Sequence, residues 1–475
     1  DGVIAVVSVI RPGAANERKK VKFTRRYQGL EPPEYPDPSL ERCLRSTYGL
    51  VVYEEHILQI CEAFAGLDGG RADVLRRALV KQKWPVVEAI AKEFLAAARA
   101  RGHADAKIRE VWELVTGFNG YAFCKAHSTA YGVEAYQSAW LKRYFPAEFM
   151  AAVLTNGKGF YAPLVYVLEC HQLGIGLRPP WVNEPGPEYT VHAECGMQNE
   201  EGPPTDPSHS AFRILHSSFI QVPAARVKGL GERLLERIYQ ERSRGPFASL
   251  ADFYRRTKPT PEEMEILIRV GAFDGFGQPR PAQFWEAQTL YRWLGQEASG
   301  QGWLFPISDA NQKGTPAADS RLTEPSRRQR LQWEMELLGF TASGHPLELH
   351  DDVAWTTYCP VAKLGEHVGK EVVTCGLVVQ DRVHHQENGE PMKFLTLCDR
   401  TGMVETELFA AAYRNYGLAT VRYPVLELTA RVEPFENGRG YTLRVLRAGK
   451  PRMEQRSTQQ RVLQTSPPVG EIPTA

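Results

Sequence analysis

In ADVLRRALVKQK (72–83), Leu75, Ala78 and Leu79 recur at spacings of three and four and mark the buried stripe of a helix. Arg76, Arg77, Lys81 and Lys83 fall on the rest of its circumference. Arg77 and Lys81, four apart, project together, one as a two-pronged guanidinium fork and the other as a point charge. Such a pair clamps a triphosphate or a DNA backbone, although a solvated basic face has the same pattern. In GFNGYAFCKAHSTAYGVEAYQSAWLKRY (117–144), glycines precede Lys125, His127 and Ser128, and an aromatic stripe of Tyr136, Trp140 and Tyr144 follows. The order predicts a loop-to-helix turn whose N-terminal amides favour an anion. The plainer alternative makes Ser128 an N-cap, His127 a satisfied polar residue and the aromatics core.

VKGLGERLLERI (227–238) opens a helix with two glycines one residue apart. This is the pattern of a helix-hairpin-helix, in which Lys228 and the backbone around Gly229 and Gly231 meet a phosphate without reading bases. IRVGAFDGFG (268–277) reads as a second, degenerate copy, and a plain turn explains either one as well. In the Gly-rich stretch around 301–305, Gln301 followed by Leu304 and Phe305 suits a short peptide docking on a ring-shaped sliding clamp. The alternative folds Trp303 and Phe305 back onto the preceding helix. Further along, Lys393, Phe394 and Arg400, with Phe435 and Arg439 in a later turn, are candidate single-strand contacts.

Other chemistry finds little support. The eight cysteines form no C-x-x-C, and His192 with Cys195, near Cys170 and His171, sits in a loop-rich stretch that argues against zinc. There is no phosphate loop of the G-x-x-x-x-G-K-[ST] type, no H-E-x-x-H, no G-x-S-x-G and no Asp-x-Asp. Glu405 and Glu407 share a strand face and read as solvent-facing. No obvious carboxylate pair is left to hold two metal ions, and no cofactor is expected on these residues.

The elements that must position these groups follow from patterning over 475 residues, a length suited to about three domains. A 43% hydrophobic and 24% charged composition excludes a wholly disordered, collagen-like or coiled-coil chain, and the net charge of +1 excludes a polyelectrolyte. The apolar run from Gly2 to Ile10 is too short for a membrane span, so the reading is soluble and cytoplasmic, with no membrane partner. Residues 11–26, with seven basic side chains and one acid, read as an extended arm ending in a Pro-rich turn. Helical periodicity dominates from Thr47 to Met150, which with the basic arm makes 1–155 a largely helical domain; 156–221 reads as an irregular connector; helices resume over 222–294. Residues 295–350 form a linker with the clamp peptide and a short helix from Ser326 to Leu338. Period-two stretches with ENGEP and ENGRG turns make 351–450 a five-stranded barrel of OB type, and 451–475 a disordered tail. The fold class is multidomain α+β, mainly helical and then all-β.

In this order, the motifs resemble the C-terminal half of the alpha subunit of bacterial DNA polymerase III. RPG (11–13), YPDPSLE (35–41), TYGLVVYEEHILQI (47–60), GRADVLRRALVKQK (70–83), the block 120–154, VKGLGE (227–232), GAFDGFG (271–277), LGFTASGHPLE (338–348) and 392–409 carry the likeness. The resemblance implies fingers that close over the incoming deoxynucleoside triphosphate, tandem helix-hairpin-helix elements on duplex backbone, a clamp peptide and an OB domain near single-stranded template. It makes Arg76, Arg77, Lys81, Lys83, Lys125, His127 and Ser128 candidates for nucleotide or primer-template contact. In that family the metal-binding aspartates belong to a palm that precedes the fingers, after an N-terminal PHP domain, and this chain begins beyond both. Mg²⁺ is then implied for the complete polymerase through the missing palm, and the chain alone is expected to be silent. AANERKKVKF (14–23) is more basic than the family pattern, which puts contacts from that arm in doubt. GFYAP (159–163) and the short tail are similar to the error-prone branch.

The expected function is the DNA- and nucleotide-binding part of a DNA-directed DNA polymerase, in replication or error-prone repair. Expected partners are primer-template DNA, deoxynucleoside triphosphates, a sliding clamp and a palm-containing polypeptide. The alternative is a non-catalytic DNA-binding or clamp-adaptor protein.

Overall fold

The computed structural model describes residues 2–9, 17–117, 124–157, 159–184, 186–193, 218–297, 323–386, 388–435 and 437–454. It divides into two units, Asp1–Tyr144 and Phe145–Ala475.

In the first unit, helices Glu55–Ile60, Gly69–Val80, Trp84–Ala100 and Asp105–Thr116 share one core. Ile57, Ile60, Phe64, Leu75, Leu79, Phe94 and Val111 are buried there, so the predicted stripe of the basic helix is the one that packs. Asp68 starts that helix by accepting from the N–H groups of Gly70 and Arg71 at 2.8 and 3.0 Å. Helix Gly2–Val9 lies along helix Lys125–Tyr144 at Gly132, where a Cβ would come 2.6 Å from Ile4 Cγ1. The basic stretch is helical over Glu17–Tyr27 and not an extended arm. Phe23 gives it an apolar anchor, and the buried Arg26 donates to Glu31, Glu34 and the Tyr48 carbonyl. An internal cation satisfied on three sides lets so basic a segment pack.

The second unit opens with helices Pro146–Asn156 and Pro163–Gln172. The supposed irregular connector contains the latter helix and a three-stranded sheet of β1 (Gly176–Arg178), β2 (Thr190–Ala193) and β3 (Ser218–Gln221). β3 is central, parallel to β1 and antiparallel to β2. Strands this short, separated by glycines and prolines, carry too little alternation to read. Helices Glu232–Arg244, Leu250–Thr257, Pro261–Val270 and Arg280–Glu297 follow, around Phe253, Leu267, Ile268 and Phe273. The short helix runs Arg327–Leu338 from an N-cap at Ser326 to a left-handed Gly339.

Strands β4 (Glu371–His385), β5 (Pro391–Cys398), β6 (Met403–Leu408), β7 (Val425–Pro434) and β8 (Tyr441–Gly449) close a barrel in the order β4-β5-β6-β8-β7, with β4 pairing β7. Every pairing is antiparallel except β6 with β8, which is the OB-like arrangement expected. Leu395, Leu397, Leu408, Leu426, Leu428 and Leu443 fill it. Both turn signals hold: Gly389 and Gly438 adopt positive φ of 79° and 67°.

Candidate nucleic-acid and nucleotide interface

On the basic helix the four cations divide. Arg76 is half-buried and reaches the carboxylates of Glu54 and Asp73, the latter at 2.8 Å. It is therefore an internal link rather than a surface contact. Arg77 is two-thirds exposed, steadied by Asp73 at 2.8 Å. The hydrogen bond from Arg76, with the charges of both arginines, holds the Asp73 carboxyl below the usual carboxylate range. Beyond the helix end, Lys81 and Lys83 lie exposed on a tight turn in which Gln82 takes a φ of 52° and the Lys83 N–H returns to the Ala78 carbonyl at 2.8 Å. Arg77, Lys81 and Lys83 thus stand at one helix end.

Helix Lys125–Tyr144 begins on an acidic partner. The Lys125 N–H donates to both oxygens of Glu55, at 2.9 and 3.0 Å. The amide expected to greet an external anion is already satisfied by an internal one. The Lys125 ammonium is exposed and lies 5.7 Å from the centre of the Tyr53 ring. His127 is exposed, its ring edge-on to Tyr131. Ser128 is neither an N-cap nor an accessible contact. It is wholly buried in the helix body, its hydroxyl against that of Ser8. Tyr136, Trp140 and Tyr144 are exposed, Tyr136 by 71%, so they are not core in this unit.

In the second unit, Gly229 has a φ of 88° and Gly231 is the residue before helix Glu232–Arg244. Lys228 is exposed while its N–H holds the Leu337 carbonyl at 2.8 Å. The Gly231 N–H donates to Glu263 Oε1 at 3.2 Å. Glu263 also closes a capping box with Thr260 on helix Pro261–Val270. The second hairpin, Gly271 to Gly277, is locked by Asp274 on the buried Arg280, and Trp181 packs so closely that a Cβ on Gly275 would meet its ring at 2.6 Å.

On the barrel, Lys393 departs from its expected role as a strand contact. It is 2% exposed, with its ammonium 2.5 Å from Asp381 and 3.0 Å from the Thr420 hydroxyl. Its register on β5 turns it under helix Ala419–Arg422, which sequence patterning alone does not reveal. Phe394 is half-buried with Arg382 over its ring, while Arg400, Phe435 and Arg439 are exposed. Glu405 is solvent-facing as read, but Glu407 is half-buried, and burial followed by the nearby Glu433 charge pushes its carboxyl up. His192 pairs with Glu184 at 3.0 Å, and Cys195 lies outside the described residues. So do Gln301, Leu304 and Phe305 of the clamp peptide and the tail from 455. Of the carboxylates that hold the basic elements, Glu54 and Glu55 lie inside TYGLVVYEEHILQI (47–60) with no spacing that marks them as links, and Glu263 carries no motif.

Residues 1–102 match the bacterial DNA polymerase III alpha subunit finger domain, and residues 174–283 match a helix-hairpin-helix motif. The DNA polymerase III subunit alpha of Aquifex aeolicus is 30% identical over 420 residues, covering 87% of this chain and 33% of that protein. Over these stretches the chain is similar to bacterial DNA polymerase III alpha subunits. The subunits of Xylella fastidiosa (strain Temecula1) and Thermus aquaticus are each 31% identical across 94% of the chain, and 37% and 35% of their own lengths are covered. The chain spans about a third of the length of the curated relatives it matches. The finger match holds the basic helix, the Glu54–Arg76 link and Glu55, while Lys125 lies beyond it, and the helix-hairpin-helix match holds both hairpins. No helix among the described residues is long and apolar enough to cross a membrane.

Proposed function

We propose that these residues supply the DNA- and nucleotide-binding surfaces of a DNA-directed DNA polymerase acting in template-directed synthesis. The observation that carries the reading is the exposed cation group Arg77, Lys81 and Lys83, at one helix end in the finger match. The incoming triphosphate carries several negative charges, and neutralising them without chemistry is what guanidinium and ammonium groups do. Lys125 and His127 add a second edge. The first hairpin, with Lys228, takes duplex backbone, and Arg400 with Phe435 and Arg439 takes single-stranded template. A sliding clamp engages Gln301, Leu304 and Phe305. The setting is replication or error-prone repair in the cytoplasm.

Among the described residues no three His, Cys, Asp or Glu side chains converge where they could hold a metal ion. The Mg²⁺ of phosphoryl transfer would be held by a palm of the complete polymerase. These residues bind, orient and neutralise charge.

The experiment is primer-template binding by the chain across a salt series, with primer extension alongside. Affinity is expected to fall steeply with salt, Lys228→Ala to lower the log–log slope by about one, and Arg77→Ala or Lys81→Ala to weaken dATP binding by the chain. Salt-independent DNA binding, or dATP binding unmoved by both Arg77→Ala and Lys81→Ala, overturns the reading.

A further inference from the structure

Tyr53, Glu54, Glu55 and His56 lead into helix Glu55–Ile60, and each side chain has its own task. Glu54 pairs with Arg76 on the basic helix. Glu55, the next residue, takes the Lys125 N–H on both carboxylate oxygens. The buried Tyr53 ring lies below the Lys125 ammonium. His56, 2% exposed, turns Nδ1 back to accept from the N–H groups of Val52 and Tyr53 at 3.2 and 3.4 Å. The two glutamates are adjacent, yet their partners lie 22 and 70 residues further along the chain. One fixed dipeptide therefore spaces the two segments whose cations meet the nucleotide in the function proposed above.

Charge and geometry pull in opposite directions at this place. By charge alone, a carboxylate beside an anion site weakens anion binding. By geometry, each glutamate fixes a cation-bearing element and saves it the cost of being ordered on binding. The opposite signs make the two effects separable.

We propose that Glu54 and Glu55 are positioning residues for the incoming nucleotide. Through Arg76, Glu54 sets helix Gly69–Val80 so that Arg77 and Lys81 face the phosphates. Through the Lys125 amide, Glu55 sets the start of helix Lys125–Tyr144 so that Lys125 and His127 do. Arg76 is then a link in the scaffold and not a phosphate ligand. This inference rests on the nucleotide-binding reading.

The test is calorimetric titration of the 475-residue chain with dATP and Mg²⁺, and separately with inorganic tripolyphosphate. Lys81→Ala probes the underlying reading. If the wild type binds neither probe, or Lys81→Ala binds as well as wild type, that reading and this inference both fall. With the reading intact, Glu55→Ala is expected to weaken both probes about tenfold, the scale of one lost charge-assisted hydrogen bond. Glu55→Gln keeps an acceptor for the Lys125 N–H and is expected to recover most of that loss. Glu54→Ala and Arg76→Ala each weaken binding, and together no more than either alone, because both break one link. Unchanged or tighter binding by Glu55→Ala, beside a weakened Lys81→Ala, overturns the inference and leaves the reading standing. Thermal melts report folding separately. Should Glu55→Ala fail to fold, Glu55→Asp decides: it keeps the charge and shortens the reach, so weaker binding than wild type supports the inference and equal binding overturns it.

Discussion

The Glu263 carboxylate accepts from the Gly231 N–H at 3.2 Å while it caps its own helix at Thr260. One side chain thus occupies the amide that a DNA phosphate would approach. Glu263→Gln keeps an acceptor and removes the charge. Duplex affinity at low salt is expected to rise by roughly twofold to fivefold, and Lys228→Glu to abolish the gain. Fluorescence anisotropy with a labelled duplex reads both, and a drop in affinity for Glu263→Gln would exclude the hairpin as a backbone contact.

The buried Lys393 leans on Asp381, whose side chain is about half exposed. Removing the partner leaves a buried charge unpaired, whereas removing the charge itself does not. Asp381→Asn is therefore expected to cost about 1–3 kcal/mol and Lys393→Met less than that. Urea unfolding of the two variants gives the order, and the reverse order would mean that the ammonium reaches water. Single-strand binding should follow Arg400→Ala and ignore Lys393→Met.

Burial, followed by the Lys125 charge, pushes the His56 imidazole down to about 3. Burial, with the neighbouring His171 and Arg400, takes His345 down to about 4. Both rings are neutral in the fold, while the unfolded chain binds protons below about 6.5. Their stabilisation is complete above that pH and is lost as the pH falls through 6.5 toward 4 and 3. For His56 the loss approaches about 1.4 kcal/mol per pH unit. Denaturant titrations at pH 7 and pH 5 should differ accordingly, and His56→Gln should flatten the slope.

At Gly132 a methyl group would press on Ile4 Cγ1. Alanine gains about 1 kcal/mol of helix propensity, yet the clash between the helices Gly2–Val9 and Lys125–Tyr144 should outweigh it. Gly132→Ala is expected to be net destabilising by about 1 kcal/mol, and Ile4→Ala in the same chain to return part of the loss. A more stable Gly132→Ala chain would mean the two helices do not pack at this point.

Legibility varied with the length of the repeating pattern. Leu75, Ala78 and Leu79 declare the helix and its buried side because three turns repeat the signal, and the barrel strands alternate long enough to count. β1 to β3, with three or four residues each, do not. Helix Glu17–Tyr27 was hidden because its stability depends on Arg26 finding Glu31, Glu34 and the Tyr48 carbonyl, contacts made only in the fold. The candidate site shows the same division. Cations announce themselves by charge, so Arg77, Lys81 and Lys125 stand out in the sequence, and all three are exposed in the fold. Which of them are committed internally depends on carboxylates brought in from afar, and Arg76, Ser128 and Lys393 went the other way for that reason or through burial.

In the proposed function the triphosphate sits between the basic helix end and the start of helix Lys125–Tyr144. The most direct measurement is photo-crosslinking with dATP carrying an azidoanilide on its γ-phosphate, in the presence of primer-template DNA, followed by peptide mapping. Label is expected on the peptides holding Arg77 to Lys83 and Lys125 to His127, and unlabelled dATP should compete it away. Competable label confined to the barrel, or no competable label at either segment, would contradict it.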